Sequence, residues 1–237
     1  MMPPRTIFAL DLSSPIGSAA WVERGEVLAE AEWPQPPRDN RAVFERLRAL
    51  LFSEGRHPDH VDLWAVGRGP GSYSGLRIAL AAVRMFAAPG DQPTVGVDSG
   101  LAVADELLMR LPVDEAIVAG DARRGRAWYG RVRRTDSGLA ELTEPWSLCR
   151  IGELDLKVPP AGCGASAEWT RLAEVAGFSS TDGRWWPEDL VPRARHIARR
   201  AELMVAHGEQ CPPVVLIYLQ PPVVEHASLI RPDATAV

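Results

Sequence analysis

The chain has 237 residues, 46% hydrophobic and 24% charged, with a formal net charge of −5. That length can bury a sizeable core, as one large domain or as two lobes of about 110 residues each. Residues 1–108 hold 10 basic and 14 acidic side chains and the remainder 16 and 17, which excludes the strong positive balance of a stand-alone nucleic-acid binder.

In chain order, MMPPRTIFALDLSS does not read as a signal peptide, because the apolar run Ile7–Leu10 is short and meets Asp11. TIFALDL predicts a buried strand ending in an acid, and AAWVERGEVLAEAEW predicts two strands around a turn at Arg24-Gly25. Asp39 or Asn40 is expected to cap a helix to about Phe52, with Val43, Phe44, Leu47, Leu50 and Leu51 at helical spacing. VDLWAVG is a strand. The glycine-rich VGRGPGSYSG follows, then a helix from about Ser74 to Ala88, the strand QPTVGVD, and the helix SGLAVADELLMRL capped by Ser99. The order is β-β-β-α-β-α-β-α.

That order then restarts. DEAIVAGDARRGRAWYGRVRR reads as a strand ending in Asp121, a turn at Arg124-Gly125, and a strand holding Ala127-Trp128; it echoes Asp11 and Ala20-Trp21. Helices around Ala165 to Ala176 and Pro192 to Ala206 follow, with Pro192 in a first turn, then the apolar PVVLIYL. The tail from about Pro221 is expected to be loosely ordered. Interleaved strands and helices argue for an α/β class, divided into lobes at 1–108 and 109–237. Cys149, Cys163 and Cys211 have no C-x-x-C spacing and are expected as free thiols. No apolar run approaches the ~20 residues of a membrane span, so a soluble, cytoplasmic protein is expected.

The glycine loop enters a helix N-terminus, a ready anion site. Gly69, Gly71, Ser72, Ser74, Gly75 and Arg77 are its candidate contacts. The Walker pattern is absent, since no Lys follows Gly75. GPGSYSG fits G-x-G-x-x-x-G, and Asp98 ends the next strand 23 residues after Gly75, where a ribose-binding acid would sit. The loop follows the fourth strand rather than the first, so a structural strand-to-helix turn is preferred to a dinucleotide site. From Leu76 to Ala88 the only charges are Arg77 and Arg84, so this helix needs cover on more than one side, from the helix near Asn40 or from a partner. Asp11 and Asp121 could hold a metal–phosphate complex in a cleft; local turn capping is favoured. Pro58 between His57 and His60 argues against a two-histidine metal face. RRGRAWYGRVRR could touch nucleic-acid phosphates, though a solvated strand face is favoured. Nothing picks out a nucleophile elbow or a Ser/His/Asp triad.

VGRGPGSYSGLRIALAAVR resembles the signature of the TsaB (YeaZ) family, bacterial proteins needed to make N6-threonylcarbamoyladenosine in tRNA. Gly69 to Arg77 match its G-P-G-S-[FY]-[ST]-G-L-R throughout. GDARRGRAWYG resembles its D-A-R-R-G-E-V-Y segment, which gives Asp121, Arg123 and Arg124 as a second motif, and IFALDLSS resembles its opening strand with Asp11 and Ser13 in register. The resemblance runs from about Ile7 to Tyr218 and finds no motif in residues 139–186. SSPIG and PQPPRDN depart from the family pattern.

The resemblance implies a two-lobed actin/Hsp70/sugar-kinase-like (ribonuclease H-like) fold, each lobe a mixed sheet with helices. It also implies a non-catalytic relative of TsaD, the glycoprotease-like peptidase M22 protein. TsaD binds a metal through H-x-x-x-H on the helix where this chain has Ser99 and Val103, so no metal, cofactor or catalytic residue is expected. The implied partners are a TsaD-like catalytic subunit, a TsaE-like ATPase and a second copy in a homodimer, with tRNA reached only through the complex. The implied interface lies on the first-lobe helices at Val43, Leu47, Leu76, Leu80, Val83 and Arg84. The alternatives are an ATP-dependent small-molecule kinase or ATPase of the same fold, using Asp11, Asp121 and the glycine loop, and, less favoured, an NAD(P)-binding enzyme.

Overall fold

A computed structural model describes residues 6–35, 40–178, 183–208 and 213–220. Cys211 and the tail from about 221 lie outside the described residues. The first half forms strands β1 (Thr6–Asp11), β2 (Ile16–Glu23) and β3 (Glu26–Pro34), helix α1 (Asn40–Leu51), strand β4 (Leu63–Gly67), helix α2 (Tyr73–Ala87), strand β5 (Thr94–Val97) and helix α3 (Ser99–Arg110). Short 3-10 turns aside, this is the order read from the sequence. The second half forms strands β6 (Glu115–Arg123), β7 (Arg126–Arg134), β8 (Ala140–Leu142), β9 (Ser147–Arg150) and β10 (Cys163–Ser166), then helices α4 (Trp169–Ala176) and α5 (Ala194–Ala206).

Both sheets are mixed, and the fold is α/β as expected. The first has the order β3-β2-β1-β4-β5: β1 pairs antiparallel with β2 and parallel with β4, and β5 continues in parallel. The second has the order β10-β6-β7-β8, with β9 also on β7. There β6 pairs antiparallel with β7 and parallel with β10. An isolated parallel bridge from Gly164 to Trp185 stands beside β10 as β5 stands beside β4. The echo of strand, acid and hairpin in the sequence is therefore an echo of topology.

Period-two alternation sends each strand's apolar residues to two faces. On the first sheet Phe8, Leu10, Trp21, Trp64 and Val66 meet Val43 and Leu47 of α1 and Ala79 and Val83 of α2. On its other face Ile7, Ala9, Ala20 and Ala65 meet Ala102 of α3 and Ile197, Ala198 and Ala201 of α5. Helix α3 turns Val103, Ala104, Leu107 and Leu108 the opposite way, onto Val118, Trp128 and Val132 of the second sheet. It is buried from Ser99 to Leu108 except at Leu101, because it serves both sheets. The far face of the second sheet is covered by Trp169 and Leu172 of α4 together with Trp185.

Three local expectations are corrected. Ser99 makes no helix cap: Asp98 is the N-cap residue of α3, without a side-chain cap bond, and the Ser99 hydroxyl accepts from the Gly69 amide at 3.1 Å. The helix expected from Ala165 starts at Trp169, because Cys163–Ser166 is small enough to run as a buried strand under Trp185. Helix α5 starts at Ala194 rather than near Pro192; the Ala194 amide is held at 2.9 Å by the Ser18 hydroxyl of β2.

Candidate functional site

The carboxyl ends of the parallel strands β1, β4 and β5 deliver Asp11, the glycine loop and Asp98 to one edge of the first sheet, the edge at which open α/β sheets bind ligands. Asp11 is fully buried there. Its Oδ1 accepts from the Ser13 amide at 2.8 Å and the Ser13 hydroxyl at 2.7 Å. Its Oδ2 has no partner at hydrogen-bond geometry among the described residues, although the Ser99 hydroxyl lies alongside and its interaction favours the charged form. Burial outweighs these contacts and raises the carboxyl above its ordinary value of 3.8.

The glycines are explained by this enclosure. A methyl group on Gly67 would overlap the Asp11 carboxylate, one on Gly71 the Ser13 carbonyl, and one on Gly75 the Leu12 carbonyl. Gly69 adds a backbone φ of +101°, which disfavours any side chain. The loop's own donors are largely taken. The Ser72 amide donates to the Ser13 carbonyl at 2.7 Å, the Gly75 amide to the Ser72 hydroxyl at 3.2 Å, and the Leu76 amide to the Ser72 carbonyl at 2.9 Å. Ser72 is thus the N-cap of α2, one residue before its start, and Ser74 lies exposed in the first turn. The loop seats itself on the turn after β1 and offers a phosphate few free amides.

Arg77 is engaged by two tyrosines. Its guanidinium lies 3.9 Å from the ring centre of Tyr73 and donates to the Tyr218 hydroxyl at 3.1 Å, which ties residues 213–220 to α2. Asp98 is held by Arg68 at 2.5 Å and by the Trp146 indole at 2.8 Å, which occupies the acid that a ribose would need.

On the second sheet Asp121 caps its own turn as Asp11 does: Oδ1 accepts from the Arg123 amide at 2.6 Å. Its Oδ2 pairs with Arg123 and with Arg171 of α4, each at 2.8 Å. The Asp121 amide donates to Glu168 at 3.0 Å, and burial pushes the Glu168 carboxyl up. A cleft of about 260 Å³ opens here, lined by Pro15 from the first turn and by Arg123, Glu168, Thr170, Arg171, Glu174 and Asp189. Neither Asp11 nor any glycine-loop residue lines it. Asp11 is enclosed and Asp121 is neutralised, so the two acids do not form one exposed carboxylate site.

Of the expected interface residues, Val43, Leu47, Leu76 and Val83 are buried. Val43, Leu47 and Val83 pack on their own sheet and Leu76 is enclosed beside Gly69, which corrects the reading of a partner surface at those four positions. Helices α1 and α2 present other groups outward: exposed Phe44, Ala81, Arg84 and Met85, with Leu80 partly covered. No sequence motif marks Glu168, Arg171 or Trp146. One signal was available for Trp146: its ring lies where side chains at Gly100 in a helix and Gly130 in a strand would be, two places where glycine needs a packing reason.

A family model described as TsaD, tRNA N6-adenosine threonylcarbamoyltransferase, matches residues 41–163, just over half of the chain. The chain belongs to this family. Over 210 residues it is 26% identical to the tRNA threonylcarbamoyladenosine biosynthesis protein TsaB of Escherichia coli (strain K12), covering 86% of this chain and 88% of that one. Over 129 residues it is 29% identical to the TsaB of Haemophilus influenzae, covering 54% of each. YeaZ from Pseudomonas aeruginosa shares the fold, with a TM-score of 0.75, 23% identity, and 90% of this chain and 99% of that one covered. A second Pseudomonas aeruginosa structure, described as similar to the peptidase YEAZ, gives 0.76 at 24% identity, covering 91% and 99%.

Family membership sharpens the reading of α3. The resemblance puts the metal-binding histidines of TsaD at Ser99 and Val103. Here Ser99 is spent on Gly69, and Val103 is packed in the second-sheet core. An aliphatic side chain cannot ligate a metal, so the residues present do not fit the metal site of TsaD.

Proposed function

We propose that this TsaD-family chain is a non-catalytic subunit with the role of TsaB, supporting threonylcarbamoyl transfer to adenosine in tRNA by pairing with a TsaD-like catalytic subunit. The observation that carries this reading is Val103, a core aliphatic where the resemblance puts a metal-binding histidine of TsaD. The outer face of α2 supports it: Leu80, Ala81 and Met85 flank Arg84 on a helix whose inner face is already used. The TsaD-like subunit covers that face in the complex, a second copy covers it in a homodimer, and a TsaE-like ATPase joins the assembly. The lobes 1–108 and 109–237 keep separate tasks, the first for pairing.

Co-purification with the TsaD-like protein of the same organism, followed by tRNA modification assayed with and without this chain, tests the proposal. Modification that depends on the chain is expected. Turnover of ATP by the chain alone would overturn the scaffold reading in favour of a kinase or ATPase.

A further inference from the structure

The β6–β7 hairpin carries its arginines in two different states. Three of them are matched with acids: Arg123 with Asp121, Arg133 with Glu141 at 3.1 Å, and Arg134 with Asp114 at 3.9 Å. Arg124 and Arg126 are not, among the described residues. Arg126 stands directly opposite Arg150 in the β7–β9 pair, so both side chains leave the same face. Opposed residues have Cβ atoms about 4.5–5.5 Å apart, and like charges so placed are destabilising. Arg124 joins them from the turn itself, at φ +55°.

These three arginines line an open concavity of about 580 Å³ with Gly125, Leu148, Cys149 and Glu153, the last its one acid. No ion pair to Arg124, Arg126 or Arg150 is formed among the described residues, in a chain whose net charge is −5. Three guanidiniums held together against their own repulsion call for an anion. Their fork of donors matches phosphate oxygens. The breadth and openness of the concavity suit an extended polyanion better than an enclosed small ligand. Every lining residue belongs to the second half of the chain, whereas the outer face of α2 belongs to the first.

We infer that Arg124, Arg126 and Arg150 bind the phosphodiester backbone of tRNA, so that this chain itself contacts the RNA. The inference rests on the proposed function for its choice of polyanion. The test is fluorescence anisotropy of the purified full chain with an unmodified tRNA transcript across a salt series, comparing wild type, Arg126→Gln/Arg150→Gln and the control Arg133→Gln. The double variant is expected to weaken binding at least ten-fold at low salt. It should also flatten the salt dependence by between one and two in log–log slope, about 0.7–0.9 for each lost phosphate contact, while Arg133→Gln binds as wild type. The double variant should melt no lower than wild type, because a repulsion has been removed.

Unchanged tRNA affinity in the double variant, or no binding by the wild type even at low salt, overturns the inference. Inorganic pyrophosphate that displaces the transcript at micromolar concentration, with its own binding lost in the double variant, would assign the site to a small phosphate instead. If binding fails while the chain still supports tRNA modification, this inference alone falls. If the chain fails to support modification, the proposed function falls.

Discussion

Asp11 is a buried acid enclosed by its own turn, and its energetics have a definite sign. Its carboxyl is raised above 3.8 by burial, so its contribution to stability is fully present below pH 3.8 and is lost as pH rises through the raised folded value. At neutral pH the burial of this carboxyl is a cost that the fold carries. Asp11→Asn keeps an acceptor for Ser13 and removes the titrating group. It should raise the melting temperature at pH 7 and give no gain below pH 3.8; a lower melting temperature at pH 7 would show that the ionised form is satisfied in solution. Gly75→Ala has the opposite expectation. Its methyl group meets the Leu12 carbonyl, and the overpacking should cost about 1–3 kcal/mol in urea denaturation. At this scale the sequence singled out Asp11, Asp121 and the glycines by motif. It could not tell that the loop is seated on the turn after β1, because Ser13, which accepts from the Ser72 amide, and Ser99, which accepts from the Gly69 amide, are distant along the chain.

At the scale of elements, α2 separates two kinds of apolar residue that look alike in sequence. Val83 is interior and Met85 is exposed. Ala81→Glu/Met85→Glu should therefore leave stability within about 0.5 kcal/mol per site and abolish co-purification with the TsaD-like subunit. Val83→Asp should unfold the packing on the first sheet instead, because it buries a charge without a partner. Retention of the complex by the surface variant would sink the pairing face proposed for α2. Periodicity gave the existence of this helix and its need for cover. It could not give the inward azimuth, because so many of its positions are apolar or alanine.

At the scale of the molecule, α3, α5 and the second sheet are joined by one buried ion pair. Asp105 accepts two bonds from Arg200, both at 2.6 Å, and one from the Ala140 amide at 2.7 Å, while Arg200 also donates to the Ala140 carbonyl at 2.6 Å. Asp105→Ala strands the guanidinium and should cost about 3–5 kcal/mol, read as a drop in denaturation midpoint. His196 of α5 adds a pH dependence. Burial lowers its pKa from 6.5 despite Glu106 and Asp105 nearby, with Arg195 and Arg193 lowering it further. Its contribution is present above pH 6.5 and is lost as pH falls through the depressed folded value. Stability should thus decline on acidification below pH 6.5, and His196→Gln should blunt that decline; an unchanged profile would show that the imidazole titrates normally.

The sequence by itself determined the α/β class, the order of elements through α3, the repeated strand–acid–hairpin frame and the family, because each of these is written in local spacing and short motifs. The tertiary structure decided what those motifs do here. It set the glycines against the turn after β1 rather than around a phosphate, matched Asp98 with Arg68 and Trp146, and placed Val103 in the core. It also brought α5 back onto the first sheet and Arg150 opposite Arg126. These are contacts between residues far apart in the chain, and burial, pairing and like-charge opposition exist only once the sheets have closed on their helices.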